Sequence, residues 1–204
     1  ALVDINLDIA VGEFVFVTGP TACGKTTLLN VLSGLDLPDD GQVILDGENI
    51  ARAGEDRLSN IRRQKVGFVF QDFNLIEGLT GLENIEALLW PTVLTNKEIE
   101  NRAIDALRQV DLLERKDHYP RQMSGGEKQR VAIARAIVHQ PRVLFADEPT
   151  GNLDPGTEAE IMKLVKKLNE EMNTTMVIVT HNEKLLKFAN RVVEMDKGRI
   201  VNIK

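Results

Sequence analysis

The sequence is short of several things, and each shortage narrows what it does. Its one cysteine, Cys23, excludes an intrachain disulfide framework and fits a reducing compartment. No apolar run approaches the roughly 18 residues that a membrane-spanning helix needs. The best runs, Val143–Ala146 and Met176–Val179, have the length of buried strands. No secretory leader is visible, and there is no internal repeat or low-complexity tract. Basic residues are outnumbered: 25 Lys and Arg against 31 Asp and Glu give a net charge of −6. That balance argues against nucleic acid or an anionic lipid surface as the main partner, unless a local basic patch outvotes the total. What is present is ordinary: 204 residues, 43% apolar and 27% charged, enough for one globular domain or one domain with a lobe inserted in it.

Along the chain, strand-like and helix-like patterns alternate. Phe14–Val17 is continuously apolar, as a strand buried on both faces should be. Gly41–Leu45 lies between a Pro38–Gly41 turn and Asp46-Gly47, a hairpin signal, and Val66–Phe70 reads as a third strand. From about Glu77 to Ile137 the pattern turns helical, with Ile99, Ala103, Leu107 and Val110 at three- or four-residue spacing and Pro91 and Pro120 as breaks. Strands return at Val143–Ala146, Thr175–Val179, Arg191–Met195 and Arg199–Asn202. Between the first two of these, Asp154 and Pro155 open a helix whose apolar stripe is Ile161, Leu164, Val165 and Leu168. Alternation at both ends predicts an α/β fold with a mostly parallel, covered sheet. The helical middle then predicts an inserted lobe.

Gly19-Pro20-Thr21-Ala22-Cys23-Gly24-Lys25-Thr26 matches the phosphate-binding pattern G-x-x-x-x-G-K-[ST] in full, between a buried strand and the helical run that starts at Thr27. Glycines let the backbone wrap so that its N–H groups face phosphate oxygens, and the helix start adds partial positive charge. Lys25 suits the β- and γ-phosphates, and the Thr26 hydroxyl suits Mg²⁺. A second apolar strand ends at Asp147-Glu148. In a parallel sheet that end lies beside the phosphate loop. Asp147 then fits a metal-holding role, and Glu148 fits a general base aimed at an attacking water.

Met123-Ser124-Gly125-Gly126-Glu127 opens another helix, with Ser124 as cap and glycine amides presenting a second anion-binding end. With this segment in place, the whole chain closely resembles the ATP-binding subunit of ABC transporters. The family's motifs stand in order: Walker A at Gly19–Thr26, the Q-loop at Gln71, the signature at Ser124–Glu127, Walker B ending in Asp147-Glu148, the D-loop at Gly151–Asp154, and the switch histidine at His181. The resemblance implies a phosphate-loop ATPase core (residues 1–75 and 137–204) with an N-terminal antiparallel β subdomain, and a helical signature lobe (residues 76–136).

It also implies ATP and Mg²⁺ as cofactors, with Thr26, Gln71 and Asp147 toward the metal. Residues Gly19–Thr27, Gln71 and His181 would face ATP, and Glu148, His181, Gln71 and Lys25 would serve hydrolysis. The partners implied are a second copy, whose Ser124, Gly125, Gly126 and Glu127 complete the site head to tail, and separate transmembrane permease subunits. The implied location is the cytoplasmic face of a membrane, with no nucleic acid expected. Segments Phe68–Leu75 and Ala146–Asp154 look most like the branch of lipoprotein-release and macrolide-export ATPases and their cell-division relative. Two other readings stay open: a regulatory ATPase that transmits force without moving cargo, and a non-transport ABC ATPase. The latter usually carries coiled-coil insertions, zinc cysteines or a second cassette, none of which the sequence contains. The cluster Arg62-Arg63-Lys65 reads as a solvated helix face.

Several positions depart from the family pattern. Ala22 replaces a usual glycine, at a cost on the order of 1 kcal/mol if that position needs a positive φ. Glu127 replaces Gln and adds negative charge where a phosphate should dock. The family stacks adenine on an upstream aromatic, yet the first aromatic here is Phe14. Either a strand carrying it precedes Ala1, which is the expectation favoured, or adenine is held some other way. Cys23 reads either as a small tolerated loop residue or as a thiol activated by Lys25 and the helix start. Leu75, Leu79 and Leu82 are candidates for a docking surface or for lobe core.

Overall fold

The computed structural model describes residues 1–204. Strand β1 (Phe14–Thr18) leads into α1 (Lys25–Ser33). A hairpin, β2 (Ile44–Leu45) and β3 (Glu48–Asn49), precedes α2 (Glu55–Lys65) and β4 (Val66–Val69). The middle contributes α3 (Gly81–Glu86), α4 (Asn96–Gln109) and α5 (Gly125–Ile137). Then follow β5 (Val143–Asp147), α6 (Pro155–Met172), β6 (Thr175–Val179), β7 (Arg191–Asp196) and β8 (Arg199–Ile203). The main sheet runs β4-β5-β6-β1-β7-β8, parallel throughout except that β8 returns antiparallel to β7.

The central strands are apolar without interruption because both faces are covered. Side chains alternate across a strand, so Phe14, Phe16, Leu144, Ala146, Met176 and Ile178 enter one core with α5 and α6, while Val15, Val17, Phe145, Val177 and Val179 enter the other with α1 and α2. The first core continues into the lobe through Ile85, Leu89, Ile99, Leu107 and Val131. Sheet and lobe therefore share one apolar body.

Two expectations about elements change. The strand expected over 41–45 shrinks to Ile44–Leu45, and the antiparallel β subdomain to one two-residue ladder about Asp46-Gly47, whose φ angles of 50° and 77° make a tight turn. Only Val43 and Leu45 of that stretch are buried, too few to hold a longer strand. The helical stretch expected from about Glu77 to Ile137, broken at Pro91 and Pro120, resolves into three helices with 3₁₀ turns at Leu113–Arg115 and Pro120–Gln122. Thr80, Thr95 and Ser124 each start a new helix through a reciprocal Thr/Ser–Glu cap. Finally, the basic cluster on α2 is bound internally rather than simply solvated: Arg62 donates to Gly34 O and pairs with Glu55, and Lys65 lies 3.0 Å from Asp46.

Candidate functional site

The parallel order brings the carboxyl ends of β1, β5 and β6 side by side, and the loops after them supply the candidate residues. Gly19 carries φ 144°, and a β-carbon there would lie 2.1 Å from Met195 O, so no other residue fits. Ala22 adopts φ 62°, the left-handed geometry that its usual glycine would take without strain. Gly24, at φ 106°, releases the chain into α1 with no side chain capping the helix start. Lys25 is buried, and its ammonium folds back to donate to Gly19 O at 2.9 Å and Pro20 O at 2.8 Å. The loop thus wraps around one positive charge, held by its own carbonyls.

Asp147 ends β5, and its Oδ2 accepts from Thr26 Oγ1 at 2.8 Å. Burial pushes this carboxyl above its ordinary range; the Thr26 hydrogen bond opposes the shift, the charge of Glu148 adds to it, and Lys25 opposes it. Glu148 sits at φ 46°, a backbone turn that points its side chain away from Asp147's partner and toward His181, whose Nδ1 lies 3.2 Å from Glu148 Oε2. A cavity of about 690 Å³ collects Gly19, Thr21, Ala22, Gly24, Lys25, Thr26, Thr27, Glu148 and His181 on its wall. A larger one, about 970 Å³, opens at the opposite strand ends among Leu7, Val43, Val143 and Thr175, away from every candidate group.

Not every expected residue faces the cavity. Pro20 contributes its carbonyl to Lys25 rather than a wall. Cys23 turns inward, 5% exposed, with its sulfur 4.0 Å from Lys25 Nζ and packed in the core, which removes it as an accessible thiol. Gln71 stands apart from Thr26 and Asp147, and its Nε2 donates to Asn152 Oδ1 at 3.4 Å. Asn152 Nδ2 returns a bond to Gln71 O at 3.2 Å, which ties the Q-loop to the D-loop. Asp154 caps α6 by accepting from Gly156 N and Thr157 N, and the Thr157 hydrogen bonds hold its carboxyl below the usual range.

The signature lies outside this cavity altogether. Ser124 caps α5: its Oγ accepts from Glu127 N at 3.2 Å, while Glu127 Oε2 accepts from Ser124 N at 2.8 Å. Glu127 Oε1 accepts from Arg115 Nε at 2.9 Å. The departure from Gln is therefore matched by a cation the sequence reading had not singled out. The Ser124 amide, then the Ser124 hydroxyl and Arg115, keep the Glu127 carboxyl low. Gly126 packs so closely on the start of α6 that a β-carbon would meet Thr157 Cγ2 at 2.6 Å.

The apolar candidates of the lobe also need revision. Leu75 and Leu82 pack against the shared core, and Leu79 is half-buried; Ile76, Trp90 and Val93 are the exposed apolar side chains there. Pro91 breaks the chain between the last two, leaving a turn with nothing behind it to cover them.

Comparison with known proteins agrees with this geometry. The family described as ABC transporter matches residues 2–151. An uncharacterized ABC transporter ATP-binding protein of Methanocaldococcus jannaschii is 45% identical over 204 residues, covering 98% of this chain and 87% of that protein. The lipoprotein-releasing system ATP-binding protein LolD of Bacteroides fragilis is 43% identical over 197 residues, covering 97% and 91%. Among solved structures, a dimeric ATP-binding cassette in a post-hydrolysis state, bound to ADP and Pi, superposes with a TM-score of 0.90 at 42% identity, covering all of this chain and 89% of that one.

Proposed function

The chain belongs to the ABC transporter family as an ATP-binding, ATP-hydrolysing cassette, and from that premise we propose that two copies close head to tail around two Mg-ATP to drive separate membrane subunits. The observation that carries this reading is the split of the site. Phosphate loop, Glu148 and His181 share one cavity, while Ser124–Glu127, the other anion-binding helix start, opens elsewhere on the same molecule. One chain cannot bring its own signature to its own phosphates; a two-fold partner does. The solved cassette that superposes on this chain is itself a dimer with ADP and Pi.

In this reading the loop amides and Lys25 take the β- and γ-phosphates. Lys25 exchanges its bonds to Gly19 O and Pro20 O for phosphate oxygens. Thr26 and Asp147 fit Mg²⁺ as hard oxygen donors already in contact. When bound, Mg²⁺ would neutralise charge on the phosphates, and it would relieve the buried Asp147 carboxylate. Glu148 accepts a proton from the attacking water, and His181, 3.2 Å from it, orients that carboxylate and faces the γ-phosphate. Gln71 reaches the metal only if its bond to Asn152 opens, which would link the lobe to the site.

No helix of the structure is long and apolar enough to cross a membrane. The chain would act peripherally, at the cytoplasmic face, on permease subunits that meet the lobe near Ile76, Trp90 and Val93. The test is the molar mass of Glu148→Gln by light scattering with and without Mg-ATP. Loss of the base should trap ATP and give monomer without nucleotide and dimer with it. A monomer at saturating, independently confirmed ATP would overturn the paired site.

A further inference from the structure

We propose that Glu158 is a positioning residue that clamps the loop carrying His181 to the loop leading to Asp154, and so keeps His181 against Glu148 during turnover. The inference rests on the ATPase reading above and assigns a role to a residue outside the family motifs. Glu158 lies in the first turn of α6. Its Oε1 accepts from Thr150 Oγ1 at 2.9 Å, and its Oε2 accepts from Asn182 Nδ2 at 2.7 Å. Thr150 is 4% exposed and starts the turn that runs through Gly151 and Leu153 to Asp154. Asn182 directly follows His181.

The His181 side chain has little of its own to hold it. It is 67% exposed, and its recorded contact is with Glu148. Its neighbour is held from three directions instead. Asn182 N donates to Thr180 Oγ1 at 3.0 Å, and Asn182 Oδ1 accepts from Lys184 N at 3.0 Å. With that oxygen taken, the amide has one orientation, and its Nδ2 must meet an acceptor on α6. Glu158 is that acceptor. Only a carboxylate accepts with both oxygens, one for each loop. Any shift of the D-loop on closure of a dimer is thereby felt at His181 through a single side chain.

The polarity of this clamp makes it testable by exchange. Glu158→Gln alone can keep both loops, its Oε1 on Asn182 Nδ2 and its NH₂ donating to the Thr150 hydroxyl, which turns to accept. Asn182→Asp sets a second carboxylate against Glu158. Together they re-form a donor–acceptor pair with its direction reversed, the Gln Oε1 still accepting from Thr150. Steady-state ATP hydrolysis by the full chain should show Asn182→Asp lowering kcat about tenfold with KM for ATP within about twofold, while Glu158→Gln and the double variant stay within about threefold of wild type. Melting temperatures measured alongside identify loss of fold. Asn182→Asp with wild-type kcat would overturn the proposal, as would a double variant no faster than Asn182→Asp alone. So would kcat and KM moving together with a lowered melting temperature, which would make Glu158 a residue of the fold alone. A wild-type chain that turns over no ATP would instead bring down the ATPase reading, and this clamp with it.

Discussion

Helices α1 and α5 both begin at glycine-rich turns whose amides can face phosphate, yet the two starts are finished in opposite ways. At α1 the cap position is Gly24 in a left-handed conformation, no side chain accepts from the first amides, and the first turn carries a cation, Lys25, at the positive end of the helix dipole. At α5 the cap is complete: Ser124 and Glu127 exchange bonds, and Arg115 closes the ring. The first start is electrostatically unfinished, and an anion would complete it. The second is already a closed helix end, and in the proposed dimer it would meet an anion with the amides its cap leaves free. In the proposed paired site, this difference makes the phosphate loop the binding element and the signature the conditional one, to be engaged when a second molecule presents phosphates to it.

Removing the unfinished charge should therefore have the largest effect. Lys25→Ala takes away the one buried ammonium of the loop, and its Kd for Mg-ATP, measured by calorimetry, should rise on the order of 100-fold. Binding within a few-fold of wild type would erase the asymmetry between the two helix starts. The matching change at α5 acts at a later step. In a Glu148→Gln background, Arg115→Gln leaves the Glu127 carboxylate without its cation, and ATP-driven dimerisation should weaken about tenfold while ATP binding to the monomer holds. Adding Glu127→Gln should restore the dimer. If Arg115→Gln dimerises as tightly as its parent, the charge at the signature carries no weight.

How much of this was legible beforehand follows from distance along the chain. The phosphate loop, the Asp147-Glu148 strand end and the Asp154 cap were readable because each is a local pattern whose chemistry and backbone lie within a few residues. The positive φ of Ala22 followed from the glycine it replaces. Arg115 was not readable: it is twelve positions from Glu127, on a 3₁₀ turn that no periodicity announces. Glu158 and Asn182, 24 positions apart, meet only because α6 and the end of β6 pack together. The burial of Leu75 and Leu82 hung on three short helices sharing a core with the sheet, which spacing alone could not reveal. For Cys23 the sequence left open a small tolerated loop residue or an activated thiol, and only the backbone, which turns its side chain inward, decides for the first.

A smaller effect is expected inside the α1 loop. Ala22 holds a left-handed φ of 62° with a β-carbon that glycine would lack. Ala22→Gly should raise unfolding free energy in urea by about 1 kcal/mol, less whatever the more flexible unfolded chain takes back. A loss of stability would mean that the loop's geometry is set by the methyl group rather than despite it.

The smallest effect separates the two starts by pH. The α5 cap depends on a carboxylate, Glu127, whose pKa its hydrogen bonds hold below the ordinary 4.5; the α1 start has no acidic residue in its first turn. Because the folded pKa is the lower one, the unfolded chain takes up the proton first as pH falls. The cap's contribution is thus whole above about pH 4.5 and is lost progressively as pH drops toward the folded value. Amide exchange at Ser124 and Glu127 should accordingly accelerate below that point relative to the intrinsic rate, while amides at the start of α1 keep their ratio. Glu127→Gln should flatten this dependence. Equal acid sensitivity at both helix starts would show that a global loosening, and not the Glu127 cap, governs how the signature opens.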